Sequence, residues 1–444
     1  MTQEEAIRRE NRQLRAKEVK KMGRQKSFIC IDLKSFYASV ECVERGLDPF
    51  KTNLVVADPT RSQSTICLAI TPAMKKLGVK NRCRIHEIPA GIEYITAMPR
   101  MQLYIDYSAR IYSIYLRYIS KEDIHVYSID ECFMDVTNYL SLYHMTEKEM
   151  AVELMDAVMK ETGITATAGI GTNLYLAKVA MDIVAKHVED HIGILNEISY
   201  RQQLWDHSPL SDFWRIGSRT ERKLAGYGIH TMGDIAYTSV TSEDWLYKMF
   251  GIDAELLIDH AWGLESCDIH DIKNYHTEEH SLSNGQVLMR NYSFEEAAVV
   301  VREMTDVLVL DLVSKGLITG SVTLWIAYDH RYERPSSHGT VRLTSLTNSS
   351  STIMDEVNKL YQKITDRHTG IRRIEICANR VMPEGYLQYD LFTDLAAVEK
   401  EKNLQQAILD VKKRYGKNAI MRGANLLDCS TYRERNNQIG GHRA

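Results

Sequence analysis

The chain has 444 residues, more than one ordinary hydrophobic core organises, so three or four domains are expected. Apolar residues make up 44%, charged residues 26%, and the formal net charge is -4; this is a globular, soluble composition in which any basic, nucleic-acid-binding surface must be local. The eight cysteines form no CxxC pair, which speaks against zinc or a disulfide framework and for reduced cytoplasmic thiols, and no apolar run of about 18 residues is present to span a membrane.

Residues 1–26 read as a charged helical arm without the apolar stretch of a secretory signal. From Phe28 to about Gly193, strand-like segments (SFICID, NLVVAD, HVYSID, CFMDVT, TATAGIG) alternate with helical ones at 72–77, 102–119, 147–161 and 173–187. That mixture predicts an α/β or α+β layer fold. Residues 200–267 read as short helices with glycine breaks. After the polar link ESCDIHDIKNYHTEEH comes a βαββαβ order: strand near 277–284, helix 294–316, strands 320–328 and 339–345, helix 351–366, strand 371–379. This is a ferredoxin-like module with both helices on one face. A further helix, about 394–415, follows Pro383-Glu384-Gly385.

Two acidic sites punctuate the first segment. The apolar run Phe28–Ile31 ends in Asp32, which taken alone is equally a turn residue or a helix cap. HVYSIDECFMDV is a strand pattern interrupted by Asp130-Glu131, which alone reads first as a hairpin tip with solvated acids. Adjacent strand residues point to opposite faces, so both carboxylates serve one site only if the chain turns or bulges there. Three carboxylates on two neighbouring strand ends repel each other. Divalent cations relieve that, hard oxygen ligands favour magnesium, and two such ions can activate an attacking hydroxyl and clamp a triphosphate.

Together, DLKSFYASVE and YSIDECFMDVT resemble motifs of the Y-family translesion DNA polymerases, in particular the UmuC-like branch. The resemblance continues through GIGTNLYLAKVAMDIVAK and FWRIGSRTERKLAGYGIHTMGDIA and includes the terminal NNQIGGHRA. It implies an α+β, multidomain, right-hand polymerase: palm and fingers at 27–199, a helix-hairpin-helix thumb at 200–268, a ferredoxin-like little finger at 276–384 and a tail at 385–444. The implied function is error-prone, template-directed synthesis past damaged bases in the SOS response, with two Mg2+ ions, primer-template DNA and deoxynucleoside triphosphates.

By position, Asp32 and Asp130 match the acids that hold both metals, and Glu131 completes the metal under the primer 3′-hydroxyl. The Leu33 carbonyl would join the triphosphate-bound metal. Tyr37 matches the steric gate against a 2′-hydroxyl, and the amides of Phe36 and Tyr37 open a helix suited to phosphate. Ser128 and Glu41 are expected supports of the site. In AITPAMKKLGVK, the family's Tyr and Arg positions hold Pro72 and Lys75; Lys75 and Lys76 can neutralise phosphate only as point charges. Lys186 matches another triphosphate lysine, with one residue inserted relative to the commonest pattern.

For DNA, the hairpin around Gly217, with Arg219 and Lys223, aims amides and charge at a phosphate, although Arg215 replaces a frequent glycine. Arg342, Arg372, Arg373 and Arg380 lie on or beside the little-finger strands. Gln388, Leu391 and Phe392 resemble the short peptide that docks bacterial polymerases on a sliding clamp, and the UmuC-like branch implies SOS accessory proteins as further partners. A nucleotidyl cyclase would share an acidic sheet but not the hairpin thumb, the extra module or Tyr37. A non-catalytic DNA-binding scaffold would be marked by loss of a metal acid, and all three are present.

Overall fold

A computed structural model describes residues 26–61, 64–277, 280–386 and 394–444. The chain divides into two compact units, Met1–Tyr275 and His276–Ala444. In the first, the strands are β1 (Phe28–Leu33), β2 (Leu54–Val56), β3 (Ala69–Ile70), β4 (Ile95–Ala97), β5 (Ile124–Val126), β6 (Glu131–Asp135), β7 (Ala166–Gly171) and β8 (Ile192–Leu195). Five of them form one sheet in the order β5-β6-β1-β7-β8. Its central strand, β1, runs antiparallel to both β6 and β7. The unbroken apolar run suits that place: Phe28 to Ile31 are all buried, whereas an alternating strand would leave one face wet.

The residues expected to form one helix at 173–187 instead form an α-helix, Leu174–Val179, a π turn, Ala180–Val184, and a 3-10 turn, Ala185–His187. A π turn accommodates one residue more than an α-helical turn. The segment lies unusually close to the sheet. A Cβ on Gly169 would stand 2.1 Å from the Ala177 carbonyl oxygen, and one on Gly193 2.1 Å from that of Ala180, so only glycine fits at either strand position. Phe28, Cys30 and Phe133 pack with Leu174, Ala177 and Met181.

A smaller sheet, β3-β2-β4, has its own core of Val55, Ile70, Met74, Val79, Cys83 and Ile85. Its helix Pro72–Lys76 begins with Pro at the first position and Thr71 as cap, the expected entry chemistry. Beyond β8, helices at Glu197–Leu204, Ser218–Ala225, Met232–Thr241, Glu243–Phe250 and Asp253–Trp262 close around Phe213, Leu224, Ile235 and Trp262.

The second unit holds β9 (His280–Tyr292), β10 (Leu317–Tyr328), β11 (Ser337–Thr347) and β12 (Ile371–Pro383), in the order β11-β10-β12-β9 with every neighbour antiparallel. Helices Phe294–Ser314 and Ser350–Ile364 cover one face. β9 extends well past the expected 277–284 because Gly285 interrupts the apolar pattern without interrupting the pairing; it lies opposite Glu375. The tail helix, Leu395–Tyr415, packs on Phe294–Ser314. Glu303 is buried on that helix and accepts bonds from Ser430 and Thr431 of the tail. The segment containing Gln388, Leu391 and Phe392 lies outside the described residues, as do residues 1–25 of the expected arm. Among the described residues no helix is long and apolar enough to cross a membrane.

Candidate active site

The acids meet where β1 and β6 leave the core. Asp32 is paired in register with Glu131. Just before Glu131 the chain turns: Tyr127 and Ser128 both donate their amides to the Glu131 carbonyl, at 3.0 and 3.1 Å. The turn brings Asp130 alongside, its carbonyl accepting the Leu33 amide at 3.0 Å. So the sequence conflict of two neighbouring carboxylates on one strand is resolved by ending the strand between them. Ser128 donates to Asp130 Oδ1 at 2.6 Å.

Burial first, then repulsion from Asp130 and Glu131, pushes the Asp32 carboxyl up to about 7. Burial also raises Glu131, against the pull of Lys178. Lys178 is a residue that motif reading passed over. It sits inside GIGTNLYLAK, where a helical lysine looks merely solvated. In the fold it is buried, with Nζ 2.9 Å from Glu131 Oε1 and 3.0 Å from Asp182 Oδ2. Cys30 Sγ donates to the same Glu131 oxygen at 3.2 Å, and burial holds that thiol well above its ordinary range.

Three carboxylates offering only hard oxygens, held against their own repulsion, suit a magnesium-like cation. The donor set fits, but the rotamers do not converge. Among the described residues no three His, Cys, Asp or Glu side chains are grouped to hold one ion. Asp130 is turned to Ser128 and Glu131 to Lys178.

Around the acids lie the groups expected to meet a phosphate chain. Helix Phe36–Val43 starts from Ser35, whose backbone is left-handed (φ 50) and whose buried hydroxyl has no hydrogen-bond partner. Its first-turn amides, those of Phe36 and Tyr37 included, have no intrahelical acceptor. Lys75 is accessible to water yet crowded by protein: burial lowers its pKa, Asp32 raises it and Lys186 lowers it again, so the two lysines and the acid share one field. Lys34 is likewise lowered, to about 8, by burial and by Lys75. Lys76 is exposed on the last turn of its helix.

The Tyr37 ring is half-buried and stacks on Tyr104, centroids 4.5 Å apart and 18° from parallel. Tyr104 donates its hydroxyl to Glu41 at 2.7 Å, and Arg100 clamps Glu41 through two bonds of 2.9 and 2.8 Å, with Arg45 as a further donor. Burial would raise Glu41, but these donors outweigh it and hold its carboxyl low. Glu41 thus supports the Tyr37 ring through Tyr104 and touches none of the acids. Tyr104 and Arg100 carry no signal in the sequence, since neither lies in a recognisable motif.

Gly217 caps helix Ser218–Ala225 without a side-chain bond, leaving its amides open. Arg215 adopts φ 71, the left-handed conformation a glycine would take there without strain, and lays its guanidinium 5.0 Å from the Trp214 ring. Arg219 is exposed; Lys223 is exposed too but donates to the Met249 carbonyl at 2.6 Å. In the second unit, Arg342 pairs with Ser321, and Arg373 with Ala327 and Val287, on the sheet face away from the helices. Arg373 also bonds Glu375 at 3.0 Å and lies 5.3 Å from the Trp325 ring. Arg372 is half-buried at one β12 bulge, and Arg380 is exposed at the other with φ 53.

Residues 31–182 match the impB/mucB/samB family, and residues 279–391 match the impB/mucB/samB family C-terminal domain. A DNA polymerase IV 2 of Bacillus subtilis is 30% identical over 425 residues, covering 95% of this chain and all of the relative (100%). The putative UV-damage repair protein UvrX of the same organism is 29% identical over 422 residues, covering 95% of this chain and 98% of the relative. Among solved structures, a Y-family DNA polymerase chimera of Dbh and Dpo4 superimposes with a TM-score of 0.63 at 21% identity, over 80% of this chain and 99% of that one.

Proposed function

The chain belongs to the impB/mucB/samB family of Y-family DNA polymerases and is a DNA-directed DNA polymerase of DNA damage repair, and from that premise we propose that it extends primers across damaged template with Asp32, Asp130 and Glu131 as its metal-binding acids. The observation that carries this reading is the register of Asp32 against Glu131, with Asp130 turned in beside them. Two magnesium ions on these carboxylates would activate the primer hydroxyl and offset charge on the triphosphate. Asp32 and Asp130 would serve both ions, Glu131 the ion under the primer terminus, and the Leu33 carbonyl the triphosphate side.

The chain's own groups do the rest. Lys75 and Lys186 take up triphosphate charge, with Lys76 at the margin. The first-turn amides of Phe36 and Tyr37 receive phosphate oxygens. The Tyr37 ring, backed by Tyr104, leaves no room for a 2′-hydroxyl. Gly217, Arg219 and Lys223 hold one DNA phosphate, and Arg342, Arg372, Arg373 and Arg380 track others. Gln388, Leu391 and Phe392 would tether the enzyme to a sliding clamp, raising its effective concentration at the primer end. An error-prone SOS role, with accessory proteins, follows from the UmuC-like motifs.

Asp130→Ala should abolish nucleotide addition and leave primer-template binding intact, measured by single-turnover extension beside a binding titration. Extension by the variant at a rate near that of the unaltered enzyme, with magnesium present, would overturn the assignment.

A further inference from the structure

Lys178 stands at a point of competition. Its side chain is only 10% exposed, and its ammonium group contacts two carboxylates at once, Glu131 at 2.9 Å and Asp182 at 3.0 Å. Glu131 is a proposed metal acid; Asp182, 30% exposed on the π turn, is not. A divalent cation that binds Glu131 meets a positive charge already on its Oε1 oxygen, and like charges at contact distance in a partly buried site repel strongly. The lysine has somewhere to go. Asp182 is one helical turn along the same segment and already within bonding distance, so Lys178 can give up Glu131 without becoming a buried, unpaired charge, which would be costly.

The geometry points to Lys178 as a toggle: it pairs with Glu131 when the carboxylates hold no cation and retreats to Asp182 when one arrives, making metal uptake depend on the negative charge that triphosphate and primer bring. This rests on the reading of Asp32, Asp130 and Glu131 as metal ligands. The alternative, that Lys178 only neutralises a buried glutamate and organises it for the metal, makes the opposite prediction: removing the lysine would then weaken metal binding.

The test is Mn2+ binding to the full chain without DNA or nucleotide, read from the free-ion electron paramagnetic resonance signal. Lys178→Met should tighten Mn2+ binding by about tenfold, because a unit charge at contact distance is removed. Asp182→Asn should weaken it by about threefold, since the lysine then has only Glu131 to pair with. The double variant should follow Lys178→Met, because Asp182 acts through the lysine. Lys178→Gln, neutral but still able to donate to Glu131, should tighten binding in the same direction and carries the test if the Met variant does not fold. Unchanged or weaker binding in the neutral variants, or an Asp182→Asn effect that persists without the lysine, overturns the toggle. Asp130→Ala separates the two levels of the argument. If it leaves Mn2+ binding intact, the metal reading itself falls and the toggle with it; if it abolishes binding while Lys178→Met changes nothing, only the toggle falls.

Discussion

Asp32 is held in the fold at a cost that its own chemistry explains. Its carboxyl is pushed from an ordinary 3.8 up to about 7, first by burial and then by Asp130 and Glu131. A carboxyl whose pKa rises on folding opposes folding once it ionises. Below about pH 4 it is neutral in both states and contributes nothing; between about 4 and 7 the unfolded chain ionises first, and stability falls as pH rises. Above about 7 the loss is complete, on the order of 4 kcal/mol for a shift of this size. Without added metal, Asp32→Asn should therefore melt several degrees higher than the unaltered protein at pH 8, with the gain vanishing near pH 4, while polymerase activity is lost. A melting temperature at pH 8 no higher than that of the unaltered protein would remove the case that burial and its acid neighbours make the ionised Asp32 costly. Tyr37 answers to a different test. Tyr37→Ala should raise ribonucleotide incorporation by about tenfold or more, since exclusion by shape disappears with the ring. Tyr104→Leu, which removes the stack behind the ring, should shift the same ratio part of the way. An unchanged ratio in Tyr37→Ala makes the ring a packing group.

The elements divide into those whose cause is local and those whose cause is not. β1 was legible because four consecutive apolar residues need cover on both faces, and the sheet centre supplies it. Asp32 and the Asp130-Glu131 pair stood out only in combination and through the family resemblance, because alone each is an ordinary turn or hairpin-tip acid. Helix Phe294–Ser314 has a local cause: the Ser293 side chain accepts the Glu296 amide and closes its first turn. The π turn at Ala180–Val184 was not legible: nothing in the residues AMDIV sets it apart from α-helix, and it follows from how the segment rests on β7 and β8. Lys178 and Tyr104 were hidden for the same reason, since Glu131 and Glu41, the buried carboxylates they bond, are far away in sequence. Gly193 tests this tertiary cause. Gly193→Ala would drive a Cβ into the Ala180 carbonyl and against the Ala185 amide, both backbone atoms that cannot swing aside. The expected loss is about 3 kcal/mol or more, read from the denaturant midpoint. A midpoint within error of the unaltered protein would mean that the close approach of β8 to the π turn is not needed for stability.

On the proposed reading, the two compact units divide the work between chemistry and grip. Asp32, Asp130, Glu131, Tyr37, Lys75 and Lys186 belong to Met1–Tyr275, whereas Arg342 and Arg373 belong to His276–Ala444, on a sheet face that its own helices leave open. With a net charge of -4 over the whole chain, attraction to DNA cannot come from overall charge and must come from such local patches. Each phosphate neutralised contributes about 0.9 to the slope of log affinity against log salt. Replacing Arg342 and Arg373 together by alanine should therefore flatten that slope for primer-template binding by about 2. The extension rate at saturating DNA should stay unchanged, because neither arginine belongs to the unit that carries the acids. Arg302, on the helix-bearing side and bonded to Asn358 at 3.3 Å, is the matched control, and Arg302→Ala should leave the slope as it was. If the control flattens the slope as much as the pair does, or the pair lowers the rate at saturation, then the open sheet face is not where this unit holds DNA.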